Sequence, residues 1–214
     1  MTQPNDKMTG KQMFDVVLEA GLQLVPFAGG SLATLYFGSK QAKQFNRIEH
    51  FYKEFAEKVN ALESEPTSLN EQQQEELTDL IDDVNEKVER EASEKKRKYL
   101  QNFLLHSLNT PTAQDFDTKK FFLDALGTCN ELDLEILASL SRNLPDQFMV
   151  VGSITKPGVE QYAIVGSIGR LKNLGFIYAI TQGMTFGGNT DNSLSDAVTI
   201  TPFGKQFVNY CLSE

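Results

Sequence analysis

Apolar side chains recur along residues 45–62 at alternating steps of three and four: Phe45, Ile48, Tyr52, Phe55, Val59 and Leu62. That spacing lays one apolar seam along a helix, predicted from about Ser31 to Leu62, and a seam of this kind requires a partner. After the turn-rich segment 63–70 a second pattern appears at Leu77, Ile81, Val84, Val88 and Ala92, continuing to Tyr99 and Phe103. Two seamed helices joined by a short polar connector predict a long antiparallel helical hairpin. Seven acids and no base occupy residues 71–86, and Lys87, Arg90, Lys95, Lys96, Arg97 and Lys98 follow. Acid first and base last complements a helix dipole, which predicts one continuous second helix.

Upstream of the first seam lies a run of 19 uncharged residues, from Ala20 to Gly38, of which 11 are strongly apolar. Gln23, Pro26, Gly29 and Gly30 interrupt it, so a simple membrane-spanning helix is not expected. Pro26 cannot continue a helix and glycine accepts positive φ, so the segment is predicted to fold as two helices around a tight corner.

The C-terminal third has a different texture. Phe116, Phe121, Phe122 and Leu123 mark a helix to about Gly127, and Asn130 can cap a second one that stops before Pro145. Residues 147–154 read as a short strand, a helix from about Val159 ends at Gly175, and FIYAI and AVTIT read as two strands around a polar loop. A last helix starts with Pro202 in its first turn. Helix, strand, helix and hairpin is the order of a winged helix. The fold class expected is therefore mainly α, a long antiparallel helical hairpin with a C-terminal winged-helix (α+β) domain, divided as 1–110 and 111–214.

Arg170-Leu171-Lys172-Asn173-Leu174-Gly175-Phe176-Ile177, followed by Ile200-Thr201-Pro202-Phe203-Gly204-Lys205-Gln206-Phe207, resembles the RLxxLGxI and LTPxGxxF ending of many winged-helix domains, with isoleucine in place of the leucine before Thr201. The wider layout, roughly Phe14 to Cys211, resembles bacterial proteins of the abortive-infection alpha type: a glycine-rich apolar segment, a helical middle and a winged-helix ending. That resemblance implies a part in antiphage defence or growth arrest and carries over no catalytic residue.

Charge then narrows the function classes. The 214 residues hold 20 Lys+Arg against 29 Asp+Glu, a net charge of −9, which disfavours nucleic acid and anionic lipid unless the bases cluster. From residue 113 onward seven bases face eleven acids, and the predicted wing contains two Asp and no base. Sequence-specific DNA binding, through Arg170 and Lys172 with Lys95, Lys96, Arg97 and Lys98, is thus an alternative reading only. Two distant cysteines, Cys129 and Cys211, and a polar N-terminus without a signal-peptide core fit a cytoplasmic chain.

Catalytic chemistry is not expected. His50 and His106 lack a nucleophile or ligand at useful spacing, the glycines at 152, 166 and 169 match no phosphate loop, and the acids of 71–86 lack a calcium-loop pattern. No enzyme activity, cofactor or metal is expected. The leading expectation is a protein-interaction or effector module that binds a partner or itself. Its candidate interaction and hairpin residues are Pro26, Gly29, Gly30, Ala33, Phe45, Ile48, Tyr52 and Phe55. A second alternative makes residues 13–38 a conditional membrane inserter, with Gly29 and Ala33 permitting close helix contact in lipid. Against it stands the plainer reading, in which Leu22 to Phe37 is core and its glycines serve packing.

Overall fold

The computed structural model describes residues 34–60, 70–109, 115–143, 147–181 and 193–213. Among them the chain is mainly helical with a small three-stranded antiparallel sheet. It divides into two compact units, Met1–Asp124 and Ala125–Glu214. The division expected at 110/111 falls on a connector outside the described residues, and the glycine-rich segment before Thr34 lies outside them as well.

The first unit contains α1 (Thr34–Asn60), α2 (Glu71–Arg90) and α3 (Glu94–Asn109). Asn70 starts α2 through a capping box: its Oδ1 accepts from the Gln73 amide at 2.8 Å, and Gln73 Oε1 accepts from the Asn70 amide at 3.0 Å. Both reciprocal bonds satisfy amides that a helix end leaves open. Arg47 of α1 donates to the Glu89 carbonyl at 2.8 Å and Tyr52 to Asn85 Oδ1 at 2.7 Å. Partners descend along α2 as they ascend along α1.

The continuous second helix expected from charge order is corrected here: residues 91–93 break it, with Glu91 extended at φ −79°, ψ 115°. Capping outcompetes the dipole at this point. Ser93 Oγ accepts from the Lys96 amide at 3.1 Å, and Glu91 Oε1 accepts from the Ser93 amide at 2.8 Å. A serine hydroxyl that satisfies an open amide favours a fresh helix start over continuation. The break lets α3 also meet α1, where Gln101 Nε2 donates to the Phe51 carbonyl at 3.2 Å and to Glu54 at 2.9 Å, and Lys58 donates to Asn102 at 2.7 Å.

Because α1 is bonded to two helices, its buried face is wider than a two-helix seam. Phe51 joins Ile48, Tyr52 and Phe55 in the interior. Its ring meets Tyr52 edge-on at 5.3 Å and stacks on Phe55 at 6.1 Å. Burial pushes the Tyr52 hydroxyl up to about 12, against the opposing effect of its bond to Asn85 and with a small addition from Asp82. An unfolded tyrosine ionises near 10, so the stability carried by neutral Tyr52 is full below about pH 10 and is lost as the pH rises toward 12. In urea titrations between pH 9 and 12, the wild type is expected to lose about 2 kcal/mol more than Tyr52→Phe. Parallel loss in the two proteins would contradict this assignment.

The boundary between the units falls within α4 (Phe116–Thr128). Its first part is tied to α2 by Lys120 to Asp83 at 3.1 Å and by Lys87 to Asp124 at 3.0 Å.

The second unit continues with α5 (Glu131–Ser141), β1 (Met149–Val150), α6 (Gln161–Asn173), β2 (Ile177–Thr181), β3 (Asp196–Ile200) and α7 (Pro202–Phe207). The sheet order is β1-β3-β2, with Met149 opposite Val198 and Tyr178 opposite Thr199. Asn130 caps α5, its Oδ1 accepting from the Asp133 amide at 3.0 Å while Asp133 Oδ2 accepts from the Asn130 amide at 2.8 Å. The strand expected over 147–154 is only two residues long. At Val151 the backbone turns into a short 3₁₀ segment, closed by Ile154 N to Val151 O at 3.1 Å and by Ser153 Oγ to Val150 O at 2.7 Å.

The segment after α6 and the start of α7 form one clasp. Gly175 takes φ 74°, the left-handed turn that ends α6. Thr201 donates its amide to the Phe176 carbonyl at 2.9 Å and its hydroxyl to the Gly175 carbonyl at 2.7 Å. That hydroxyl also accepts from the Gly204 amide at 2.9 Å, so Thr201 caps α7 and locks it to β2. Phe176 stacks on Phe207 at 4.4 Å. Gly175, Phe176, Thr201, Gly204 and Phe207 of the motif are thus accounted for by packing.

Candidate functional site

Two surfaces carry the residue types that recognition needs. The first is the outer face of the sheet. Residues opposite one another in an antiparallel pair share a face, as do residues two apart on one strand. The register therefore places Val150, Ala197 and Ile180 in one row and Tyr178 with Thr199 in the next, with Phe148 two residues before Val150. Phe148 is 38%, Val150 39% and Tyr178 56% exposed. The opposite face, with Val198, Ile177 and Ile200, is buried.

The second is an open cleft of about 380 Å³ between α1 and α2, lined by Lys43, Gln44, Arg47, Glu89 and Arg90. Every described lining residue is polar, and three of these five are cationic. A smaller cavity of about 10 Å³ lies between α2, α3 and α4, beside Glu76, Ser107, Phe116 and Lys119. Desolvation holds the Lys119 amine below the usual lysine range, opposed by Glu76 and Asp115. The space there suits one water molecule.

Sequence-derived candidates are distributed as follows. Pro26, Gly29, Gly30 and Ala33 lie outside the described residues, and Phe45 lies on α1. Ile48, Tyr52 and Phe55 are buried within the first unit. Among the basic candidates, Lys96 pairs with Glu91 at 2.8 Å and Lys98 with Glu94 at 3.1 Å, while Lys95 is exposed. Arg97 donates to the carbonyls of Glu91 and Ala92, both at 3.0 Å, which makes it a clamp on the corner between α2 and α3.

In the second unit Arg170 Nε reaches Asp133 Oδ2 at 2.8 Å, and Lys156 pairs with Glu135. Lys172 is exposed in the last turn of α6. Asp133 is fully buried, and its other oxygen, Oδ1, has no hydrogen-bond partner. Arg170 is therefore the countercharge of an interior carboxylate.

Among the described residues no group of three or more His, Cys, Asp and Glu is placed to hold a metal ion, and no helix is long and apolar enough to cross a membrane. Cys129 and Cys211 are both buried, and burial raises the Cys211 thiol well above its ordinary value, which leaves it a poor nucleophile. Sequence reading missed the sheet face because exposure depends on which edge β1 joins. It missed the cleft because Lys43 and Arg47 are separated from Arg90 by a whole helix and a connector. No protein-family model matches the chain, and no curated protein or solved structure matches it.

Proposed function

We propose that the chain is a non-enzymatic interaction module of the cytoplasm, in which the C-terminal unit is a winged helix that meets another polypeptide through the outer face of its sheet. The helix order, the β1-β3-β2 sheet and the hairpin between α6 and α7 support the winged-helix reading. The first unit, on the same reading, is a helical hairpin elaborated by α3. A role as an effector in antiphage defence rests on the resemblance of the sequence to the abortive-infection alpha type.

One observation carries the choice of partner: three of the bases that would grip a duplex, Lys96, Lys98 and Arg170, are paired with the protein's own acids, whereas apolar side chains of the sheet face solvent. Phosphate contacts supply most of the affinity for DNA, and Arg170, one of two bases in the last turn of α6, is bonded to Asp133. Phe148, Val150 and Tyr178 offer the aromatic and aliphatic surface that protein interfaces favour. Replacing Tyr178 with a photo-crosslinking residue is expected to give discrete protein adducts in cells and in the purified chain at micromolar concentration. Val150→Asp should remove them. A chain that stays monomeric by sedimentation and yields no adduct would end this reading, as would a mobility shift of random duplex at low salt that depends on Arg170.

A further inference from the structure

The cleft between α1 and α2 is a concentration of positive charge on a chain whose net charge is −9. Among the described lining residues, Lys43, Arg47 and Arg90 stand against the carboxylate of Glu89, an excess of two positive charges that falls to one when Glu86, 3.8 Å from Arg90, is counted. We propose that this cleft binds a compact phosphorylated polyanion, in which neighbouring phosphate groups are shared between Arg47, Arg90 and Lys43.

The donors are disposed for such a ligand. Arg47 holds the Glu89 carbonyl with one N–H of Nη1, which fixes the guanidinium at the cleft wall and neutralises a carbonyl near the negative end of α2. A guanidinium carries five N–H donors in a planar fork that suits phosphate, so one bond to a carbonyl leaves most of that capacity for a ligand. Arg90 stands 3.8 Å from Glu86, an ion pair too long for a hydrogen bond, with both side chains more than two-thirds exposed. Exposed pairs of this kind contribute little, so a phosphate can displace Glu86 at small cost.

The lining also restricts the ligand class. A nucleobase is bound by stacking or apolar contact, and none of the five described lining residues is aromatic or aliphatic. Positive charge and the size of the cleft together favour an oligophosphate or a polyphosphorylated headgroup. In the sequence, Lys43 and Arg47 follow within ten residues of Gly38, where the uncharged run ends. A lipid headgroup and a soluble polyphosphate present the same chemistry to these side chains.

The test uses tripolyphosphate as the probe, titrated into the full chain by calorimetry at low ionic strength. Saturable binding of one equivalent is expected, weakened at least tenfold in Arg90→Gln and in Lys43→Gln. Binding should persist in the Lys95→Gln/Lys98→Gln double variant, which removes twice as much charge elsewhere. Arg47→Gln is read alongside them, with circular dichroism as the check that it folds. Absence of saturable binding, or equal weakening in the Lys95/Lys98 variant, would overturn the proposal. Flotation on vesicles carrying phosphatidylinositol bisphosphate then separates the sources: flotation lost in Arg90→Gln assigns a headgroup, and tripolyphosphate binding without flotation assigns a soluble ligand.

Discussion

Gly204→Ala is expected to destabilise the C-terminal unit by about 3 kcal/mol, near the upper range for overpacking, because the groups in the way of the new methyl cannot easily move aside. An ideal Cβ at this position would lie 2.1 Å from the Phe176 carbonyl oxygen and 2.9 Å from Ile200 Cγ1. The oxygen cannot retreat cheaply, since it accepts from the Thr201 amide and hydroxyl. For a unit of this size, roughly 4–8 °C of melting temperature is lost per kcal/mol, so a fall of more than about 10 °C is expected in scanning calorimetry. Gly166→Ala is the control: it lies on exposed α6 surface with no heavy atom within 4 Å of the added carbon, and a helical glycine replaced by alanine should gain a few tenths of a kcal/mol, on the order of 0.5. Equal melting temperatures for Gly204→Ala and the wild type would show that the clasp between β2 and α7 is not close-packed.

The second large effect concerns Arg170. Removing one partner of a fully buried ion pair costs about 3–5 kcal/mol, and with Arg170 itself 42% exposed a value of about 2 kcal/mol is expected for Arg170→Met. The loss arises because Asp133 would keep its charge in the interior with only the Asn130 amide for company. Adding Asp133→Asn to Arg170→Met should recover most of the stability, since the amide oxygen still caps α5 without a charge to solvate. A double-mutant cycle by urea denaturation measures the coupling. Additive losses would mean that the pair is incidental, and would return Arg170 to the set of side chains free to meet an external anion.

These two sites show where local chemistry was readable and where it was not. The Asn130 cap, the turn at Gly175 and Pro202 in the first turn of α7 each depend on residues within four positions, and the fold places them as expected. The role of Gly204 depends on a carbonyl 28 positions earlier, and that of Arg170 on a carboxylate 37 positions earlier, so both looked like members of a motif without a stated task. Ser93 was a local signal passed over in favour of a longer-range one. A hydroxyl three residues before the Lys96 amide was enough to start a new helix, while the gradient of charge acts only within the end turns. Phe51 was left out of the seam because a two-helix pattern needs one narrow stripe, whereas α1 is bonded to two neighbours. The cleft at Lys43, Arg47 and Arg90 lay beyond local pattern altogether, since its walls come from helices that meet only after folding.

The corner at residues 91–93 also sets how the chain tolerates a change in length. An extra residue in the middle of α2 would rotate everything downstream on that helix by about 100°, carrying Val84 and Val88 toward solvent. The same insertion beside Ala92 meets a joint where the helical phase already restarts, so Leu80 and Val84 on one side and Phe103 and Leu104 on the other keep their inward aim.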